Sequence, residues 1–98
     1  MMTPEGRVVE ALRETVAKAG GECRKVEWAG RVGAPDWFVM LDGLSFFVEC
    51  KAPGKKPSPI QLREHERMRD IGGCTVLVVD GADQIRAIVR AVERGETL

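Results

Sequence analysis

This chain has few of the features that announce a protein class. No apolar run approaches the ~20 residues of a membrane-spanning helix. The opening Met1-Met2-Thr3-Pro4-Glu5 is not a signal peptide, so the expected location is the cytoplasm, with no membrane partner. Three cysteines, Cys23, Cys50 and Cys74, stand at wide spacing with no C-x-x-C pair. That argues against a zinc clamp and against a disulfide framework. Net charge is zero, with fifteen basic and fifteen acidic residues, so global charge gives no pull toward a polyanion. Repeats, low-complexity tracts and internal boundaries are all missing, and residues 1–98 are expected to form a single domain.

What is present is an ordinary globular composition, 44% hydrophobic and 31% charged. A chain this short buries roughly two-thirds of the surface its unfolded form exposes. Local charge is more telling than the total. No acid lies between Glu49 and Glu64, while Lys51, Lys55, Lys56 and Arg63 are all basic; Arg24-Lys25 is a second basic cluster.

Thr3 and Pro4 read as the N-cap and first position of a helix carrying Val8, Val9, Leu12, Val16 and Ala19 at helical spacing, ended by Gly20-Gly21. Glu22 to Trp28 reads as a short strand, and Gly30 to Pro35 as a loop. Asp42-Gly43 between apolar runs predicts a two-residue hairpin joining strands 36–41 and 44–51. Ser58-Pro59-Ile60-Gln61 opens a second helix with a capping-box pattern, running to about Ile71. Cys74 to Val79 has the length of a buried strand, and a final helix presents Ile85, Ile88, Val89 and Val92 on one stripe. The order α-β-β-β-α-β-α predicts a mixed four-stranded sheet, and because both hairpin faces are apolar, helices should cover both sides.

The hairpin carries the chemistry. With the turn centred on Asp42-Gly43, every cross-strand pair sums to 85, so Asp36 opposes Glu49 on one face. Lys51, two residues on, shares that face. Two opposed carboxylates repel, which argues for a divalent cation between them. Hard oxygen donors suit Mg²⁺, the Cys50 backbone carbonyl is a natural further ligand, and waters and a phosphate oxygen would fill the remaining positions. Lys51 beside such an ion could orient a water and stabilise charge on a phosphate, the parts needed for phosphodiester hydrolysis. The competing reading is an exposed Glu–Lys or Asp–Lys ion pair, worth well under ~1 kcal/mol. The chain's one histidine, His65, falls one turn after Gln61; this chemistry needs no histidine, so it reads as a partly buried helix residue rather than a general base, and Trp28 and Trp37 read as core or interface residues rather than base-stacking platforms.

Gly33-Ala34-Pro35-Asp36, Glu49-Cys50-Lys51 and Ser58-Pro59-Ile60-Gln61 together resemble the PD-(D/E)xK nuclease superfamily, and within it the VRR-Nuc (virus-type replication-repair nuclease) domain. Thr3-Pro4-Glu5-Gly6 is similar to the opening of small stand-alone phage members. The resemblance covers Glu5 to about Val79 and implies a restriction-endonuclease-like αβββαβ(α) core. It implies that Asp36 and Glu49 bind Mg²⁺ or Mn²⁺, that Lys51 is the catalytic lysine, that Glu5 completes the acidic site, directly or through water, and that Gln61 lies close to the metal. Glu10 competes with Glu5, but the two lie about 140° apart round the helix, so at most one faces the site. Gln61 competes with its own role as capping partner of Ser58. Arg24, Lys25, Arg31, Lys55 and Lys56 are candidate phosphate contacts. Stand-alone members resemble Holliday-junction resolvases, so a homodimer acting on branched, four-way DNA in replication, repair or recombination is the expectation, in phage or bacterial cytoplasm and alongside phage or host repair proteins. The alternatives are a nonspecific or partner-activated nuclease or nickase, and a nuclease-fold module that binds DNA without cutting.

Overall fold

A computed structural model describes residues 2–98. Thr3 caps the first helix, its Oγ1 accepting the Gly6 N–H at 2.9 Å, and α1 runs over Pro4–Lys18. Three strands follow: β1 (Glu22–Lys25), β2 (Trp37–Leu41) and β3 (Leu44–Cys50). Then come α2 (Pro59–Asp70), β4 (Val76–Val79) and α3 (Ala82–Glu93). The strands lie in the order β1-β2-β3-β4, antiparallel except for the parallel β3–β4 step.

Asp42 and Gly43 both take positive φ, 51° and 80°, as a type I′ turn requires. The turn therefore fixes the predicted register, from Leu41↔Leu44 to Trp37↔Val48. One face of the sheet carries Trp37, Val39, Leu41, Phe46, Val48 and Cys50. Against it pack Val8, Leu12 and Val16 of α1 and Ile85, Val89 and Val92 of α3, forming the main core. The other face carries Phe38, Phe47 and Glu49, and α2 covers part of it, with Glu64 and His65 buried beneath the helix.

All four strands are shorter than the sequence pattern suggests, β2 and β3 by one residue each and the two edge strands by more, for local reasons. Val26 still donates to the Asp36 carbonyl at 2.8 Å, but the chain then leaves the sheet. Trp28 turns its indole N–H onto the Pro35 carbonyl at 2.7 Å and lays its ring against Phe47, with centroids 5.5 Å apart. At the other edge, Cys74 N–H is taken by the Met68 carbonyl at the end of α2, so β4 begins only at Val76. Asp36 and Lys51 flank the assigned strands, and the Lys51 N–H still reaches the Val79 carbonyl at 2.8 Å.

The loop between β1 and β2 is pressed onto α2. Gly33 sits at φ +89°, and a Cβ there would meet the Ile60 carbonyl oxygen at 2.9 Å. Arg31 crosses the same gap to Glu64, 3.3 Å away. Ala34 and Pro35 are buried, so the segment that delivers Asp36 is packed rather than free.

Candidate active site

Continuing the β2–β3 ladder one rung past Trp37↔Val48 sets Asp36 opposite Glu49, at the end of the hairpin remote from its turn. Asp36 is exposed, whereas Glu49 is 4% exposed. An ion pair at an open surface is thereby set aside, because the carboxylate is inside. Lys51 Nζ lies 3.5 Å from Glu49 Oε2. Burial is the main force on the Glu49 carboxyl and pushes it up to about 7. Lys51 pulls the other way, and the negative charges of Asp36 and Glu5 push up further. Glu49 Oε1 is buried with no hydrogen-bond partner.

Glu5, in the first turn of α1, thus acts on Glu49 across the end of the sheet. Glu10 points elsewhere. It lines a groove of about 660 Å³ between α1 and β1 together with Arg13, Glu14 and Cys23. That groove is roomy but contains none of Asp36, Glu49 or Lys51. Gln61 closes the capping box: its Oε1 accepts the Ser58 N–H at 2.9 Å while Ser58 Oγ accepts the Gln61 N–H at 3.2 Å. Burial holds the Cys50 thiol up at about 12. With its side chain in the core, Cys50 can serve the rim only through its backbone. Cys23, Cys50 and Cys74 are all free thiols.

No family model matches the chain. A protein of Acyrthosiphon pisum secondary endosymbiont phage 1, described as "Putative nuclease p44", is 45% identical over 89 residues, which are 90% of this chain and 94% of the relative. A solved structure described as "VRR_NUC domain" superposes with a TM-score of 0.81 at 43% identity, over 90% of this chain and 96% of that one. The chain belongs to the VRR-Nuc family of nucleases.

Among the described residues of this VRR-Nuc domain, no three His, Cys, Asp or Glu side chains are already gathered into a metal cage. Mg²⁺ does not require one, since it takes one or two carboxylates and keeps waters and substrate oxygens for its other positions. Two opposed carboxylates, one with an unpartnered buried oxygen, fit that habit. Asp36 and Glu49 would hold the ion, with Glu5 and the Cys50 carbonyl completing the set.

The basic candidates separate. Arg24 and Lys25 are neighbours in sequence but lie on opposite faces of β1, opposite Phe38 and Trp37 respectively. Arg24 pairs with Glu22 at 3.1 Å, and Lys25 lies over the Trp37 ring at 5.7 Å. Arg31 is held by Glu64. Lys55 and Lys56 are exposed on the loop after Lys51, and that loop is tied down where Asp80 Oδ2 accepts the Gly54 N–H at 3.0 Å. Sequence reasoning set aside one neighbour of the site. His65 is fully buried, and its Nε2 lies 3.8 Å from Glu49 Oε1. The only available signal was its place one helical turn beyond Gln61. Burial holds its pKa below the usual range, with Arg69 and Lys51 adding to the effect.

Proposed function

We propose that this VRR-Nuc domain hydrolyses DNA phosphodiester bonds with Mg²⁺ or Mn²⁺ held between Asp36 and Glu49. The observation that carries the proposal is the buried Glu49 carboxylate, flanked by Lys51 and opposed by Asp36, with one oxygen unpartnered. A buried carboxyl oxygen without a partner, here Oε1, is costly to keep, and a divalent cation would offset that cost. When bound, such an ion would neutralise phosphate charge and lower the pKa of an attacking water. Lys51 holds its ammonium beside the same carboxylate, where it can orient that water and stabilise negative charge on the phosphate. Lys55 and Lys56 supply phosphate contacts that position DNA without reading its sequence.

The substrate we infer is branched DNA, a four-way junction above all, cut by a homodimer. The support is the small size of the domain, which gives one copy little surface on which to grip a duplex. A two-fold pair of sites also matches a two-fold branched substrate.

The test is cleavage of matched four-way junction, flap, single-stranded and linear duplex DNAs with Mg²⁺, Mn²⁺ or chelator, beside size exclusion. Glu49→Ala and Lys51→Ala proteins, checked for folding, run in parallel. Paired symmetric cuts that vanish in both variants support the full reading. Cutting of every substrate keeps the nuclease and removes the junction preference. A monomer at working concentration counts against the dimer. Chelator-insensitive DNA binding by folded wild-type protein without cutting would replace the enzyme with a binding module.

A further inference from the structure

The buried side-chain atoms without hydrogen-bond partners among the described residues are three: Glu49 Oε1, His65 Nδ1 and His65 Nε2. They belong to two side chains that face each other, with Nε2 3.8 Å from Oε1. That gap exceeds a hydrogen bond by roughly 1 Å, an adjustment that side-chain rotation can make. We propose that His65 is a positioning residue for Glu49: its Nε2–H donates to Oε1 when a divalent cation holds the carboxylate ionised. The inference rests on the metal-dependent reading given above.

Three features support it beyond proximity. A position with no exposed surface would be filled more cheaply by an apolar side chain, because an unpartnered buried polar group costs ~1–3 kcal/mol. Second, the two Glu49 oxygens would be divided, with Lys51 Nζ on Oε2 and His65 on Oε1. A carboxylate has about four lone-pair sites, so both contacts leave room for a cation. Third, α2 presents the ring from a fixed frame. The capping box holds its start, and Arg69 ties its end to the Val76 carbonyl with contacts of 3.2 and 2.7 Å. Partners of this kind orient metal-binding groups without touching the metal. The Gly33 backbone is the competing partner near the ring, though neither ring nitrogen makes a hydrogen bond to it here. A ring protonated on Nδ1 alone would have no Nε2–H to donate.

The probe is Mn²⁺ alone, titrated calorimetrically into folded, metal-free wild type, Glu49→Ala, His65→Leu and His65→Gln. The glutamine amide keeps a donor near the place of Nε2. The expected result is that Leu weakens Mn²⁺ binding ~10–100-fold, while Gln stays much closer to wild type. Equal affinity of folded His65→Leu and wild type, with Glu49→Ala deficient, overturns the positioning role and leaves the metal site standing. No binding by wild type, or full binding by Glu49→Ala, removes the metal site itself and the positioning role with it. Should the leucine variant not fold, the wild-type ring gives the answer. As the chain's one histidine, it is a single unambiguous ¹⁵N signal pair. On Mg²⁺ addition Nε2 is expected to take the shift of a protonated, hydrogen-bonded nitrogen. An Nε2 that stays unprotonated while Mg²⁺ binds overturns the proposal.

Discussion

Removing the charge of one buried carboxyl should change how this domain's stability depends on pH. Glu49 rises from 4.5 to about 7 on folding, chiefly through burial. For an acid whose pKa is raised, the folded state prefers the neutral form. The associated stability is complete below the unfolded pKa near 4.5 and is lost as pH rises through about 7. At ~1.36 kcal/mol per unit, the metal-free protein should lose roughly 3 kcal/mol between pH 4.5 and 8. That is a large part of the ~5–15 kcal/mol expected for a small domain, and it corresponds to roughly 10–20 °C in Tm. The groups that set it are Lys51, Asp36 and Glu5, with His65 in contact. His65 contributes with opposite sign: its lowered pKa removes stability as pH falls through ~6.5. Because the two side chains face each other, the Glu49→Gln comparison is made on a His65→Gln background, which removes that contribution from both proteins. In chelator, urea unfolding of the protein carrying Glu49→Gln should lack the Glu49-linked loss between pH 4.5 and 8. Mg²⁺ should restore the protein that keeps Glu49 at pH 8 and leave the one carrying Glu49→Gln nearly unmoved. Equal pH slopes for the two proteins would refute the buried, proton-binding carboxyl.

Three further perturbations separate structure from chemistry. Gly33→Ala combines a positive φ with a clash against the Ile60 backbone, so thermal melting should show a loss of about 1–3 kcal/mol, and cleavage should fall as Asp36 shifts. Gln61→Glu preserves the capping box and should leave Tm near wild type, while Gln61→Ala should cost ~1 kcal/mol; a Glu variant that is stable but inactive would give Gln61 a chemical role beyond capping. Phe46→Ala empties the centre of the core and should cost ~3–5 kcal/mol by chemical denaturation, with no selective effect on metal affinity in whatever fraction stays folded.

The parts of this molecule that could be read from the sequence are those written in local chemistry. Asp42-Gly43 fixed the hairpin register because only a few residue types accept two consecutive positive φ values. Thr3 and Ser58 marked helix starts because their side chains close onto backbone a turn away. Between β1 and β2 the sequence pattern reads as strand to Trp28 and loop over Gly30 to Pro35, whereas β1 ends at Lys25 and the chain leaves the sheet. Its path depends on Trp28 finding Phe47 and the Pro35 carbonyl, and on Gly33 meeting Ile60, contacts that no spacing rule encodes. Glu5 was preferred to Glu10 through the resemblance alone, since helical spacing says only that the two diverge and not which one faces the sheet. The nearness of His65 to Glu49 escaped for a related reason, since its neighbour across the gap lies sixteen positions away on a strand.

The hairpin also works as a ruler. Asp36 and Glu49 are thirteen residues apart, and the two-residue turn leaves no slack between them. One residue inserted within either strand would reverse the side-chain alternation beyond it and turn one carboxylate toward the core. Two residues inserted in one strand would keep the side but carry one acid about 7 Å along the ladder, out of opposition to the other, whereas a longer connection at the turn itself would keep both the side and the pairing. Length variation in this segment should therefore be confined to the turn.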